Sequence, residues 1–556
     1  MKSNLEQAIA ATIQAVFAVS ADPELSRPDE QFGDYATNVA LRLSKQLGKN
    51  PREIAEALAD RIRETLGETV AEASVAGPGF LNLKLQDSTL VAALTAEPSQ
   101  PLAGQKVLVE YSDPNPFKPL HAGHLYTTLV GDTIARLLTH AGAETVRINY
   151  GGDVGLHVGK SMWSIMQALG GELPEKLNDI AEADRPAWLG ARYVEGNNAY
   201  EDDETARAAI VAVNKRVYEL HSSGERDSAF AHIYYTTRQW SYDYFAELYR
   251  QLQVVPFDRY IPESEVTPLG VATIQEQLEA GVFARSDGAV VFDGERYGLH
   301  TRVFINSEGL PTYETKDVGL SLTKWRDYHF DQSVIITANE QAQYMQVVLK
   351  AIEQFEPEPA QRTKHLTHGM VKLQGGQKMS SRKGNVVTAL EILAAARAAG
   401  AATGTNPSEE TILAAVKYAF ARVRIGGDIA YDPQESIALE GNSGPYLQYA
   451  HARARSILAK VAQPSAGLTD LTAAERSLLR KITEYPEVVE RAVTELLPHH
   501  VTTYLYELAQ KFNQFYEHNR VIGDERQAVR QRLVEAYADT LQAGLELLGI
   551  SAPDRL

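Results

Sequence analysis

Two histidines, His121 and His124, stand three residues apart in NPFKPLHAGHLYTTLVGD, residues 115–132, with Gly123 between them and Pro119 two residues ahead. A second group, KMSSRKGNVV at 378–387, follows LQGGQ and brings Lys378, Arg382 and Lys383 together with Ser380 and Ser381. Histidines at a helix start can donate hydrogen bonds to phosphate oxygens as negative charge builds in a transition state. The helix adds free N–H groups and the positive end of its dipole. Gly123 admits a flat ring or a phosphate close to the backbone. Cations on a glycine-flanked loop can follow a polyphosphate as it moves. Zinc is the rival for H-x-x-H, but it needs third and fourth ligands. The chain has no cysteine and no HExxH-type pattern nearby. Each motif alone also has a plain reading: capping histidines without chemistry, and a solvated basic loop. The loop does not match a GxxxxGK[ST] phosphate-binding loop.

The elements around the histidines can be read from pattern. KVLVEYS is a short apolar strand that precedes them, and TVRINYGGD is a strand that follows their helix, which stops near Gly142. Strand, loop, helix and strand over about 45 residues make a βαβ unit and predict a parallel sheet. The first strand ends at Glu110 or Tyr111, and open α/β sheets bind ligands beyond the carboxyl ends of strands. SVIITANE at 333–340 is another buried strand, with Gln341 just beyond it. Residues 160–260 are mostly helical and polar, which suits an insertion. Residues 1–98 form a small α/β unit. Its VAGPGFLNLKL alternates Leu81, Leu83 and Leu85 with Asn82 and Lys84, the period of a half-buried strand. TAEPSQPLAGQ is a linker. From 405 to 556 nearly everything has a helical period, broken once at QPSAG. The expected domains are 1–98, 99–404 with an insertion near 160–260, and 405–556.

A chain of 556 residues is too long for one ordinary core. Hydrophobic content of 44% and charged content of 23% are those of a soluble globular protein. No apolar run reaches the eighteen residues of a membrane span. The opening MKSNLEQAIAATIQAVFAV lacks a signal peptide's layout, and a cytoplasmic location is the simplest expectation. The net charge of −18 argues against nonspecific nucleic-acid binding. It leaves room for a specific partner met by a local basic face, such as the cluster of Arg453 and Arg455.

Together the two motifs resemble the HIGH and KMSKS signatures of class I aminoacyl-tRNA synthetases. VEYSDPNPFKPLHAGHL is similar to the arginyl-tRNA synthetase version of the first. FDRYIPESEV (257–266), LPTYETKDVGL (310–320), NSGPYLQYAHARARSIL (442–458) and HHVTTYLYELAQKFNQFYEHNRV (499–521) also resemble that family. FGDYATNVALRLSKQLGKNPREIAEALADRI looks like its N-terminal domain. The likeness covers nearly the whole chain and is weakest around 160–235. Three departures stand out: alanine inside HAGH, Asp113 where the family commonly has serine, and Tyr126 where arginine is frequent.

The resemblance implies a Rossmann-like parallel-sheet catalytic domain between a small N-terminal α/β domain and an all-helical, anticodon-binding C-terminal domain. It implies an arginine–tRNA ligase acting on L-arginine, ATP with Mg²⁺ and tRNA(Arg), with no zinc and no metal site of its own. By the same resemblance His121, His124, Lys378 and Lys383 are catalytic. Gly123, Lys378, Met379, Ser380 and Ser381 meet ATP. Glu110, Asp113, Asn115, Tyr313, Asp317 and Gln341 meet arginine. Phe80 and Asn82 meet the tRNA elbow, and Tyr446, Tyr449 and Arg453 the anticodon. Arginine activation is expected to depend on bound tRNA, and the enzyme to be a monomer away from membranes.

Chemistry supports parts of this independently. A guanidinium is a planar fork of donors best met by carboxylates. Tyr313 lies four residues before Asp317, so the two share a face if that segment is helical. The aromatics of the C-terminal region read as core as readily as contacts. Three rivals remain. A small-molecule nucleotidyltransferase would be far shorter and lack the flanking domains. A non-catalytic tRNA-binding paralogue should have lost the histidines or the lysine loop. A synthetase for another amino acid would not need paired carboxylates at Glu110 and Asp317.

Overall fold

The computed structural model describes residues 1–374, 387–404, 406–460 and 467–556. Lys378, Met379, Ser380, Ser381 and Lys383 therefore lie outside the described residues. In chain order, β1 (Tyr35–Thr37), β2 (Val70–Ala76) and β3 (Phe80–Leu85) form a small antiparallel sheet with β3 in the middle. Alternation alone puts Asn82 on an open face. It is only 7% exposed, because β3 sets it between Ala36 on one side and Ser74 on the other.

The main sheet contains β4 (Lys106–Glu110), β5 (Glu144–Gly151), β6 (Arg259–Pro262), β10 (Gln332–Ala338) and β11 (Thr363–His368). Its order is β11-β10-β4-β5-β6, and every neighbouring pair is parallel. Val107, Leu108 and Val109 are fully buried, and Val334, Ile335 and Ile336 nearly so. Such runs need both faces of the sheet covered, and each fully buried aliphatic side chain contributes roughly 1.5–3 kcal/mol. Because all strands run one way, Glu110, Gly151, Ala338 and His368 end on one edge. The chain leaves β4 for β5 on one side, while β10 lies on the other. That reversal opens a crevice at the carboxyl end of β4. Between β6 and β10 in sequence, β7 (Ala284–Ser286), β8 (Ala289–Phe292) and β9 (Arg302–Ile305) form a short antiparallel sheet. After β11, β12 (Val371–Leu373) pairs in parallel with β13 (Ile429–Tyr431). Apart from β13, the regular structure among the described residues from 406 onward is helical.

The helix Ala122–His140 joins β4 to β5, and fourteen of its nineteen residues are buried. A helix buried on nearly all sides must have neighbours all round. Here these are the sheet and the C-terminal helices. Tyr126 packs on Phe420 with ring centroids 5.8 Å apart. Lys417 Nζ donates to Gly549 O at 2.5 Å. Four helices, Leu156–Leu169, Arg185–Asp202, Glu204–Ser223 and Ala229–Gln251, fill the stretch between β5 and β6 and share a core of their own around Met162, Phe230 and Tyr234. The N-terminal unit docks on the C-terminal helices through ion pairs. Asp34, fully buried, meets Arg476 at 2.6 Å and Arg480 at 3.3 Å, and Arg27 meets Glu487 at 2.6 Å. No helix among the described residues is long and apolar enough to cross a membrane.

Gly131 lets the central helix press on β4. A Cβ there would overlap the ring of Tyr111. Gly131→Ala should therefore destabilise the fold by about 1–3 kcal/mol, seen as a lower urea midpoint. Combined with Tyr111→Ala it should cost less than the sum of the two changes. A simple sum would mean that the two residues do not touch.

Candidate active site

His121 is the N-cap of helix Ala122–His140. Its Nδ1 accepts from Gly123 N–H at 3.1 Å and His124 N–H at 3.3 Å. The His121 N–H donates in turn to His124 Nδ1 at 3.4 Å. The rings stack with centroids 3.7 Å apart. With both Nδ1 atoms accepting, the proton of each neutral ring sits on Nε2. Burial holds the pKa of His121 down at about 4, and Lys118 and His368 add repulsion. Burial also pushes the His124 pKa well below the usual histidine range, aided by His121, Lys118 and His368. The pair is thus two neutral donors at pH 7. Gly123 is needed for a reason beyond ligand approach, since a Cβ there would meet the His121 ring at 2.9 Å.

The loop from β4 to this helix holds Ser112, Asp113 and Phe117 at positive φ of 75°, 46° and 69°. Side chains rarely adopt that conformation, and it persists only where the surroundings impose it. Ser112 is held by Thr128 Oγ1 at 2.7 Å and Tyr249 OH at 2.8 Å. On the far side, residues 387–389 are tied to the histidines. Ala122 N–H donates to Val387 O at 2.7 Å, and Ala389 N–H to Leu120 O at 2.8 Å. His121 and Thr388 form an antiparallel bridge. The chain that leaves KMSSRKGN is therefore anchored at His121.

Three carboxylates gather in the crevice, each with one oxygen engaged. Glu110 Oε2 accepts from Lys324 Nζ at 2.5 Å, and both residues are buried. Asp113 Oδ1 accepts from Tyr150 N–H at 2.8 Å. Asp317 Oδ2 accepts from Tyr344 OH at 2.5 Å. Among the described residues the second oxygen of each makes no hydrogen bond, and none of the three is a sealed, unpartnered atom. Burial raises the Asp317 carboxyl to about 7, the Tyr344 hydrogen bond opposing, with Glu110 and Glu263 adding to the rise. Burial and then the charge of Glu110 push Asp113 well above the usual carboxylate range. Nearby, Glu263 and Lys316 form a second buried pair at 2.5 Å.

Tyr313 begins the helix Tyr313–Tyr328, so it shares a face with Asp317, and the residue is 53% exposed. Lys316 Nζ lies 4.9 Å from that ring. Asn115 Oδ1 accepts from Gly152 N–H at 3.1 Å, which leaves its amide nitrogen able to donate. Gln341 is exposed in the turn Asn339–Gln341 at the carboxyl end of β10. Elsewhere, Phe80, Asn82 and Phe32 line a groove of about 610 Å³ in the N-terminal unit. Tyr449 is exposed. Tyr446 accepts from Asn513 at 2.9 Å, and the Arg453 guanidinium lies 4.7 Å from the Tyr516 ring. Arg455 is not a free cation, since it pairs with Asp539 at 2.9 Å and Asp554 at 3.7 Å. Sequence pattern missed Lys324, Tyr344, Tyr150 and His368. His368 has a usable signal, because it ends β11 at the ligand-binding edge.

Three family models match the chain. One described as tRNA synthetases class I (R), catalytic domain, covers 89–418; the DALR anticodon binding domain covers 447–556; the arginyl tRNA synthetase N terminal domain covers 3–85. The arginine–tRNA ligase of Porphyromonas gingivalis is 30% identical over 99% of both chains. The chain belongs to the class I arginyl-tRNA synthetase family. A ligase of the same name from Bacteroides fragilis is 29% identical over 97% of this chain and 96% of its own. The solved Thermus thermophilus arginyl-tRNA synthetase matches all of both chains with a TM-score of 0.81 at 27% identity.

In this synthetase His121 combines a cap and a donor, and two variants separate them. His121→Asn keeps an N-cap oxygen but withdraws the Nε2 donor. Its stability should stay near wild type while adenylate formation falls. His121→Ala loses both and should cost a further 0.5–2 kcal/mol or so of stability. Thermal melting and ATP–pyrophosphate exchange check the pair; full exchange activity in His121→Asn would leave His121 only its capping role.

Proposed function

We propose that this chain is an arginine–tRNA ligase whose crevice at the end of β4 activates arginine and passes it to the 3′ end of tRNA(Arg). The observation that carries this reading is the set of three half-engaged carboxylates beside two neutral histidines at a helix start. Glu110 and Asp317 each offer one free oxygen, so the guanidinium fork is met by two carboxylates. Asn115 meets the carboxylate or ammonium end, and Tyr313 and Gln341 close the rim. One oxygen of the arginine carboxylate attacks the α-phosphorus of ATP. The new P–O bond forms as the bond to the bridging oxygen breaks, and pyrophosphate leaves. Negative charge spreads over the α-phosphate oxygens in that transition state. The Nε2–H groups of His121 and His124 are placed to stabilise it without reorganising, and the positive end of the helix dipole adds to them.

Lys378 and Lys383, with Met379, Ser380 and Ser381, follow the departing Mg²⁺-pyrophosphate. The anchoring of 387–389 on Leu120–Ala122 supports this, because it roots that loop beside the histidines. The groove with Phe80 and Asn82 receives the tRNA elbow, and Tyr446, Tyr449 and Arg453 receive the anticodon. The exposed rings suit base stacking.

ATP–pyrophosphate exchange with each proteinogenic amino acid, with and without tRNA, tests the reading. Arginine alone should support exchange, and only with tRNA(Arg) present. Exchange with another amino acid instead would overturn it.

His124→Ala should slow adenylate formation on the order of 100-fold to 1,000-fold, with the KM for arginine little changed. Asp317→Asn keeps size and removes charge. A guanidinium that loses one partner in a dry pocket costs about 1–3 kcal/mol, which is roughly 5-fold to 150-fold. KM for arginine should rise by that factor while KM for ATP stays put. An unchanged arginine KM in the folded variant would remove Asp317 from the site.

A further inference from the structure

The charges around the arginine pocket do not balance. Glu110 is neutralised by Lys324, and Glu263 by Lys316. Asp113 and Asp317 remain. Tyr150 N–H holds the first and Tyr344 OH the second, and among the described residues neither carboxylate has an ion-pair partner. Arginine's guanidinium brings one positive charge. The free pocket would thus carry two unpaired anions where the bound pocket carries one. Like charges in a poorly solvated site do not both stay ionised; one takes a proton instead.

We propose that Asp113 carries a proton in the free enzyme and that the arginine cation expels it. This rests on the reading of the crevice as an arginine site. Asp113 is favoured over Asp317 by its donors and neighbours. Among the described residues its one hydrogen bond is from a peptide N–H, and Glu110, the end of β4, lies three residues before it. Asp317 has the tyrosine hydroxyl. Its own carboxyl also titrates near 7, so both acids respond to the same field. From the other elements, Lys324 and Asp317 of helix Tyr313–Tyr328 and Tyr249 of the insertion also act on Asp113. Glu263 and Tyr344 stand behind Asp317. The Asp113 side chain is held in place by the Tyr150 N–H, 2.8 Å from its Oδ1.

The linkage has a definite sign. The free site binds the proton and the complex does not. Acid favours the free site and weakens arginine binding; base strengthens it. Arginine should bind about tenfold more weakly for each pH unit lowered from pH 7.

The test is calorimetric titration of the full chain, saturated with tRNA(Arg), with L-arginine at pH 8, where Asp317, raised to about 7, is ionised, in two buffers of different ionisation enthalpy. About one proton should be released per arginine bound. The isosteric Asp113→Asn keeps the acceptor for Tyr150 N–H and should release well under half a proton. Should that variant bind too weakly to titrate, infrared spectra of the free proteins decide. Wild type should show a protonated-carboxyl band that Asp113→Asn lacks. Arginine binding without proton release in wild type, or full release in Asp113→Asn, would overturn the inference while leaving the arginine reading intact. Failure to bind arginine at all, with another cationic amino acid bound instead, would remove the arginine reading itself.

Discussion

Gly123 N–H and His124 N–H donate into the Nδ1 atom of the residue that caps them, and His121 N–H donates into Nδ1 of His124. This reciprocal capping settles three matters at once. It satisfies orphan donors of the first helical turn. It fixes the tautomer, because an accepting Nδ1 requires the hydrogen on Nε2. It also keeps both rings neutral, since an imidazolium has no lone pair left to accept. Burial acts in the same direction. The helix start therefore presents oriented neutral Nε2–H donors rather than imidazolium charge. The rest of the crevice takes its position from this helix start: β4 delivers the acids ahead of it, and Val387–Ala389 are laddered onto it from behind.

Buried cations do the complementary work on the other wall. Lys324 and Lys316 are 1% and 3% exposed, each against one glutamate. Such a pair adds little net stability, because desolvation offsets attraction. Its effect is geometric. Lys324 occupies one oxygen of Glu110 and so decides which oxygen faces the pocket. Tyr344 does the same for Asp317, and the Tyr150 peptide for Asp113. A guanidinium entering this space meets single, fixed acceptors from separate elements. A bidentate clamp from one carboxylate would need both oxygens of one acid, and none of the three has both free.

The parallel sheet was legible because buried strands write themselves as apolar runs: KVLVE, TVRINYG and SVIITA each match a strand of the sheet. The capping by the histidine motif was legible because a cap and its partners need small spacings. Lys324 was not. TKWRDY reads as a solvated helix end, and nothing local reveals that Glu110, 214 positions away in sequence, needs a counter-ion. Asn82 fell on the polar side of a strict alternation, which carries no information about flanking strands. Strands β7 to β9 and β13, at three or four residues each, are too short to show a period. Tyr126 stood out as a departure, and its place explains the tolerance. It is fully buried between His368, 4.6 Å away, and Phe420.

Helix Ala122–His140 belongs to two environments. Its first turn lies at the crevice beyond β4. Its last turns carry Asp132 and Arg136, paired at 2.8 Å, and lie against Gly549, whose carbonyl accepts from Lys417. Lys417 is drawn from the helix Glu409–Ala421, and Gly549 follows the last helix of the chain. A helix packed along most of its length moves as a body. A shift of the C-terminal helices therefore cannot be absorbed along its length, where fourteen of nineteen residues are packed. It is carried to the ends of the helix, and one of them holds His121 and His124. The same rigidity that pre-positions the two donors makes them mechanically continuous with the helical domain.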